Sequence, residues 1–250
     1  MPLTLNRGFW TGAAGGGSDP YWSSVQFLQN WNAANLSPEL SDNSFTLSGD
    51  TTSRNTTNTL FSSAASFTSE DDATLDGAGQ GILSFPTAGA VWTLEGFLYP
   101  AQVADSIGFV SSYNSSGGQS DLKCSISGEI YDSEIYIYIF TTTSYPMATT
   151  TFKGGTLSAD NWYFFAFVAD GTNMSLYLGL KSGTTASRIA TASQVTMNDK
   201  DEFRISGITN SLNVISAKWD GQIEDLRITD GIARYSGSSL TIPTSTFPTQ

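Results

Sequence analysis

Trp162-Tyr163-Phe164-Phe165-Ala166-Phe167-Val168-Ala169, then Asp170-Gly171-Thr172-Asn173, then Met174-Ser175-Leu176-Tyr177-Leu178-Gly179: two β-prone runs of bulky side chains flank a short polar turn. Asp-Gly between such runs signals a hairpin, because glycine takes the positive φ of a tight turn without steric cost. The stretch therefore predicts two antiparallel strands. Working outward, Val91-Trp92-Thr93-Leu94-Glu95-Gly96-Phe97-Leu98-Tyr99 reads as a strand with Trp92, Leu94 and Leu98 on one face and Thr93, Glu95, Phe97 and Tyr99 on the other. Pro100 is expected to end it. The runs at 106–111, 122–126 and 134–140 read as further strands, broken by Gly, Asn, Asp and Ser, and no helical period persists over three turns. Strand after strand with short turns predicts an all-β, antiparallel two-sheet jelly-roll sandwich.

Composition agrees. The 250 residues suit one large β domain, with 39% hydrophobic and 12% aromatic residues to fill a two-sheet core. Only 14% are charged, so Ser, Thr, Asn and Gln must supply most of the polar surface. With 11 basic against 23 acidic residues the net charge of -12 argues against nucleic acid and anionic membranes as partners. One cysteine, Cys124, cannot form an internal disulfide. The first residues lack the apolar core of a signal peptide and no apolar run is long enough to span a bilayer, so the expected route is synthesis in the cytoplasm without membrane insertion. Residues 1–18 end in Gly12-Ala13-Ala14-Gly15-Gly16-Gly17-Ser18 and read as an arm, ahead of a sandwich at 19–250. Phe9 and Trp10 on that arm, with Arg7 beside them, are candidate docking residues.

The C-terminal run Trp219-Asp220-Gly221-Gln222-Ile223-Glu224-Asp225-Leu226-Arg227-Ile228-Thr229-Asp230-Gly231-Ile232-Ala233-Arg234-Tyr235 resembles the closing strand and turn of laminin G / concanavalin A-like modules in tailed-bacteriophage structural proteins. The opening Asp19-Pro20-Tyr21-Trp22-Ser23-Ser24-Val25 is similar to their start, and the two units quoted above fit their middle; the resemblance spans about residues 19–248. It implies a virion structural protein at the virion surface: a capsid decoration, head-fibre or tail-associated module, with capsid or tail proteins and further copies of itself as partners. Within this segment Leu226 and Ile228 can face the core, while Asp225 is expected to pair with Arg227 or Arg234 at the surface and, with Tyr235, to pin the end of the chain.

The absence of histidine excludes serine-protease triads, histidine bases and imidazole zinc sites. Glycoside hydrolysis needs two carboxylates flanking one bond, and Glu129 and Asp132, three residues apart, would face opposite ways on a strand. The chain therefore reads as non-enzymatic and cofactor-free. Calcium is the one ion considered, at Glu70-Asp71-Asp72 and Asp199-Lys200-Asp201-Glu202, but neither run has a recognised ligand spacing. The alternative reading is a lectin-like adhesin holding a host-surface glycan in the loops of Tyr113 and Asn114 and of Tyr145, where aromatic faces and amides suit sugars.

Overall fold

A computed structural model describes residues 19–29, 40–41, 46–48, 53–56, 58–61, 64–67, 73–76, 90–113, 124–141, 149–197, 202–209 and 215–248. The short strands β1 (Val25–Gln29), β2 (Leu40–Ser41), β3 (Thr46–Ser48), β4 (Ser53–Asn55), β5 (Ala64–Phe67) and β6 (Ala73–Asp76) precede the long β7 (Val91–Pro100). Next come β8 (Ile107–Tyr113), β9 (Cys124–Tyr131), β10 (Glu134–Phe140), β11 (Thr149–Thr156), β12 (Tyr163–Asp170), β13 (Asn173–Leu180) and β14 (Thr185–Ser193). The last are β15 (Glu202–Ile205), β16 (Ile208–Thr209), β17 (Ile215–Ser216), β18 (Gly221–Asp230) and β19 (Ser239–Thr241).

These strands make the expected antiparallel sandwich. One sheet runs β19-β14-β13-β12-β7-β18-β1-β2, with β5 also on β18 and β4 on β5; the other runs β11-β10-β9-β8-β15-β6-β3. The quoted hairpin is β12 and β13, in register from Tyr163 against Leu180 to Ala169 against Met174. Gly171 turns it at φ 91, and the Asp170 carboxylate accepts the Thr172 and Asn173 N–H groups at 2.8 and 2.7 Å, which pins the turn.

Between the sheets lies the main core. Phe109 packs against Phe165 at 5.0 Å and Phe152 against Phe167 at 4.9 Å between ring centroids, with Trp92 and Trp219 buried beside them. Strand β12 is buried on both faces, since Phe165 and Phe167 enter this core while Phe164, Ala166 and Val168 enter a second one. That second core forms on the outer face of the first sheet, where Val25 and Leu28 of β1 and Leu240 of β19 pack with Ile242 and Phe247 from the segment after the last strand. Strand β10 behaves differently: Ile135, Ile137 and Ile139 are buried, whereas Glu134, Tyr136 and Tyr138 point to the opposite, half-open face. Burial on one face with period two is what fixes its register.

Candidate functional site

The open face of β10 carries a row of aromatic rings. Asp132 at φ 49 and Ser133 at φ 64 make a tight two-residue turn that sets Tyr131 opposite Glu134, Glu129 opposite Tyr136 and Ser127 opposite Tyr138. Cross-strand partners share a face, so these side chains converge. Tyr131 is 48% exposed and its ring lies 6.2 Å from that of Tyr136, which lies 5.8 Å from that of Tyr138 with only 16° between the planes. Phe140 continues the row 6.5 Å further on, where it is largely covered.

Polar groups hold the rings in place. The Tyr138 hydroxyl donates to Glu129 Oε1 at 2.8 Å and Ser106 donates to Glu129 Oε2, so both oxygens of that carboxylate are engaged. Burial, then the bond to Glu129, pushes the Tyr138 hydroxyl well above the usual phenol range, so it remains a protonated donor. Tyr136 donates to Glu134 at 3.3 Å, and Lys153 on β11 reaches the Tyr136 hydroxyl and the Glu134 carboxylate at 3.5 Å each, its ammonium 5.3 Å from the Tyr136 ring centroid. The hydroxyl of Ser127, a residue only 3% exposed, finds no hydrogen-bond partner among the described residues. Such a face offers three tyrosine rings, two stacked on one another and one set edge to face, flanked by hydroxyl and carboxylate groups.

A second polar cluster, on the far side of the other sheet, is buried. Arg227 donates from Nε and Nη2 to Glu95 Oε1 at 2.9 and 2.8 Å, and from Nη1 to Asp19 Oδ2 at 2.9 Å. Arg234 grips Asp19 with two nitrogens at 3.1 and 2.7 Å and donates to Thr229 Oγ1; the Tyr235 hydroxyl donates to the other oxygen of Glu95. The Arg227 guanidinium also stacks on Phe247, with its carbon 3.9 Å from the ring centroid. Burial alone would raise the Asp19 carboxyl, but the bond and charge of Arg234, then the charge of Arg227, hold it below the usual carboxylate range. Two cations and two anions thus balance one another.

This arrangement corrects the expected pairing. Asp225 binds neither arginine; it sits at φ 50 in a bulge between Glu224 and Arg227, and its Oδ2 accepts the Phe247 N–H at 2.8 Å. The bulge breaks the alternation on which the pairing with Asp225 relied. Arg227 and Arg234 meet Asp19 and Glu95 instead, and the pairs are buried rather than at the surface. Glu95, a carboxylate in the middle of an apolar strand, was the available signal.

Burial, aided by the charge of Glu224 and opposed by the Phe247 bond, pushes the Asp225 carboxyl well above its ordinary value of 3.8. A raised carboxyl contributes stability in full below that ordinary value and loses it as pH climbs through the folded value, the opposite sign to Asp19. Asp225→Asn keeps a side chain that tolerates positive φ and removes the charge. The variant is expected to be more stable than the parent near pH 7 and to show a flatter stability profile from about pH 4 upward. Urea midpoints across that range check it, and an unchanged slope would refute it.

The remaining predicted positions fall elsewhere. Tyr113 ends β8, pairing in register with Cys124, and Asn114 follows it outside the described residues. Tyr145, Arg7, Phe9 and Trp10 also lie outside them, as do residues 70–72 and 199–201 of the calcium runs. Phe140 pairs with Thr149 at the end of the sheet where Tyr113 pairs with Cys124, so the strands flanking 114–123 and 142–148 end side by side. Among the described residues no group of three acids, cysteines or histidines is placed to hold a metal ion, and no helix is long and apolar enough to cross a membrane. Of the acids weighed for hydrolysis, Asp132 is in the turn and Glu129 is fully hydrogen-bonded.

No protein-family model and no curated protein matches the sequence. Solved structures do share the fold. Domain 4 of a GH43 extracellular arabinanase from Geobacillus stearothermophilus, in complex with arabinotriose, superposes with a TM-score of 0.58 at 13% identity, covering 84% of this chain and 94% of that one. Botulinum neurotoxin type C, whose cell entry depends on two ganglioside molecules, gives 0.56 at 11% identity over 84% of this chain and 48% of that one. The binding domain of botulinum neurotoxin DC, in complex with rat synaptotagmin II, gives 0.55 at 9% identity over the same shares. The chain spans about half the length of these toxin structures. At such identities the likeness is one of fold. The neighbours named are β-sandwiches that include carbohydrate binders, not laminin G or phage modules.

Proposed function

We propose that this chain is a non-catalytic glycan-binding module and that it holds carbohydrate on the ring row of Tyr131, Tyr136 and Tyr138. The observation that carries the reading is that row itself: three tyrosines on an open sheet face, with the Tyr138 hydroxyl fixed by Glu129 and the Tyr136 hydroxyl by Glu134 and Lys153. Sugar C–H surfaces stack on aromatic rings while sugar hydroxyls exchange hydrogen bonds at the ring edges. Fixing the rings before binding lowers the ordering cost. The arabinotriose held by the arabinanase domain and the ganglioside dependence of the type C toxin support the reading on this fold. It replaces contacts through Tyr113, Asn114 and Tyr145 as the main surface.

Tyr136→Ala removes the central ring, and truncating such an anchor is expected to weaken binding by about 10- to 100-fold. Because Tyr136 is only half-buried, its thermal midpoint should stay within a degree or two of the parent, as for ordinary surface substitutions of about 0.5 kcal/mol. A glycan array followed by calorimetry on both proteins makes the comparison. Equal binding by parent and variant would remove the tyrosine row from the site.

Display of this module on a virion, docked on capsid or tail proteins through Arg7, Phe9 and Trp10, is a further proposal supported by the sequence resemblance. Deleting residues 2–18 should abolish particle association, and full occupancy of particles by the truncated chain would refute docking by that arm.

A further inference from the structure

We infer that the tyrosine face selects a neutral, linear oligosaccharide laid along β10 and rejects sialylated or sulfated glycans. This deepens the glycan-binding reading and rests on it. The charge of the face is the first argument. Glu129 and Glu134 border the rings, and the cation among the described side chains there, Lys153, is already committed to Glu134 and to the Tyr136 hydroxyl at 3.5 Å each. The arginines Arg227 and Arg234 are locked in the other sheet against Asp19 and Glu95. Arg204 lies on β15, three strands from β10 in the sheet order, which places its backbone about 14 Å away at the usual strand spacing. An anionic sugar on the rings would therefore meet two carboxylates, with the already bonded Lys153 as the cation that the described side chains place there, in a chain of net charge -12. Like-charge juxtaposition of this kind is how a site rejects a competitor of equal shape.

Geometry supplies the second argument. Successive ring centroids are 6.2 and 5.8 Å apart, a step comparable to one sugar ring in an extended chain; Tyr131 is turned 63° from Tyr136, edge to face, while Tyr136 and Tyr138 stack within 16° of parallel. Rings repeating at that step in one direction suit consecutive units of an unbranched chain rather than a single terminal sugar. At the Tyr138 end the Ser127 hydroxyl, buried and unpartnered among the described residues, lies across the strand pair from that ring. A buried hydroxyl without a partner carries a desolvation penalty, which a sugar hydroxyl reaching down beside Tyr138 would relieve.

The test uses the full chain on an array of matched pairs: linear neutral hexose and pentose tri- and tetrasaccharides, and the same chains capped with sialic acid or sulfate. Neutral chains should bind, trisaccharides at least several-fold more tightly than monosaccharides, and each anionic partner should bind at least tenfold more weakly. Raising the salt should narrow that ratio. Glu134→Gln, which frees Lys153, should narrow it further, and Ser127→Ala should weaken neutral chains several-fold without lowering the thermal midpoint. Preferential binding of the anionic members would overturn the selectivity while leaving a glycan-binding module; neutral monosaccharides bound as tightly as trisaccharides would overturn the laid-along-strand geometry. No binding by any member would overturn both this inference and the glycan-binding reading beneath it.

Discussion

Arg227→Leu should lower the unfolding free energy by about 3–5 kcal/mol, the cost of stranding buried charges without their partner. The guanidinium is almost wholly buried, makes three bonds to Glu95 and Asp19, and covers the Phe247 ring. Removing it leaves Glu95, which is fully buried, with the Tyr235 hydroxyl and the Arg234 guanidinium at 3.5 Å, and leaves Asp19 with Arg234 and the Tyr21 N–H. For a domain of this size each kcal/mol moves the thermal midpoint by roughly 2–4 °C, so a drop on the order of 10 °C is expected. Arg227→Lys should recover little, because one ammonium cannot reproduce a planar fork bonded to two carboxylates. Replacing Arg227, Arg234, Glu95 and Asp19 together by apolar residues should cost much less than Arg227→Leu, since no charge is then left unpaired. Urea unfolding of the three proteins decides it: a single-variant loss below about 1 kcal/mol would show that water reaches the cluster and screens it.

Phe109→Ala is the second large effect, about 3–5 kcal/mol for a buried phenyl ring lost from a close-packed core. Phe109 is fully buried, with ring centroids 5.0 Å from Phe165 and 6.0 Å from Trp219, so it is the piece that locks the two sheets together. Its fit also explains Gly128 on β9, where a methyl group would come within 2.6 Å of Phe109 Cζ and 2.9 Å of Val110 Cγ2. Gly128→Ala alone should cost about 1–3 kcal/mol by overpacking. In the Phe109→Ala background the same methyl enters vacated space, so its cost should fall, giving a coupling of about 0.5–3 kcal/mol between contacting positions. Chemical denaturation of the four proteins of this cycle measures that coupling, and strict additivity would mean the two positions do not share the space.

Much of the sandwich is legible locally. The Asp170-Gly171 turn, the two-faced Val91 to Tyr99 strand and the inward Leu226 and Ile228 all follow from alternation and turn chemistry, which act over a few residues. The double burial of β12 is also written in its unbroken apolar run, although what covers its outer face comes from both distant ends of the chain. The salt-bridge cluster is legible in its cations and in Glu95 amid an apolar strand, but not in its pairing. Its acids sit 132 and 208 residues from Arg227, and the bulge at Asp225 moves the adjacent carboxylate out of the alternating pattern that would have paired it. The tyrosine row was within reach: Glu134-Ile135-Tyr136-Ile137-Tyr138-Ile139-Phe140 alternates isoleucine with aromatic residues, and the second set must face away from the core. The contribution of Tyr131 and Lys153 from neighbouring strands depends on pairing register, which no single segment contains.

Arg227 bonds Asp19 near the start of the described chain and stacks on Phe247 near its end, so one side chain gathers both extremities. Contacts of such long sequence separation require the largest loop to close, so they are expected to form after local hairpins such as β12 and β13. The cluster therefore belongs to the descent from the folding barrier rather than to the climb. Its loss should leave the refolding rate nearly unchanged and appear as faster unfolding, which makes these few charges a determinant of how long the native state persists once formed.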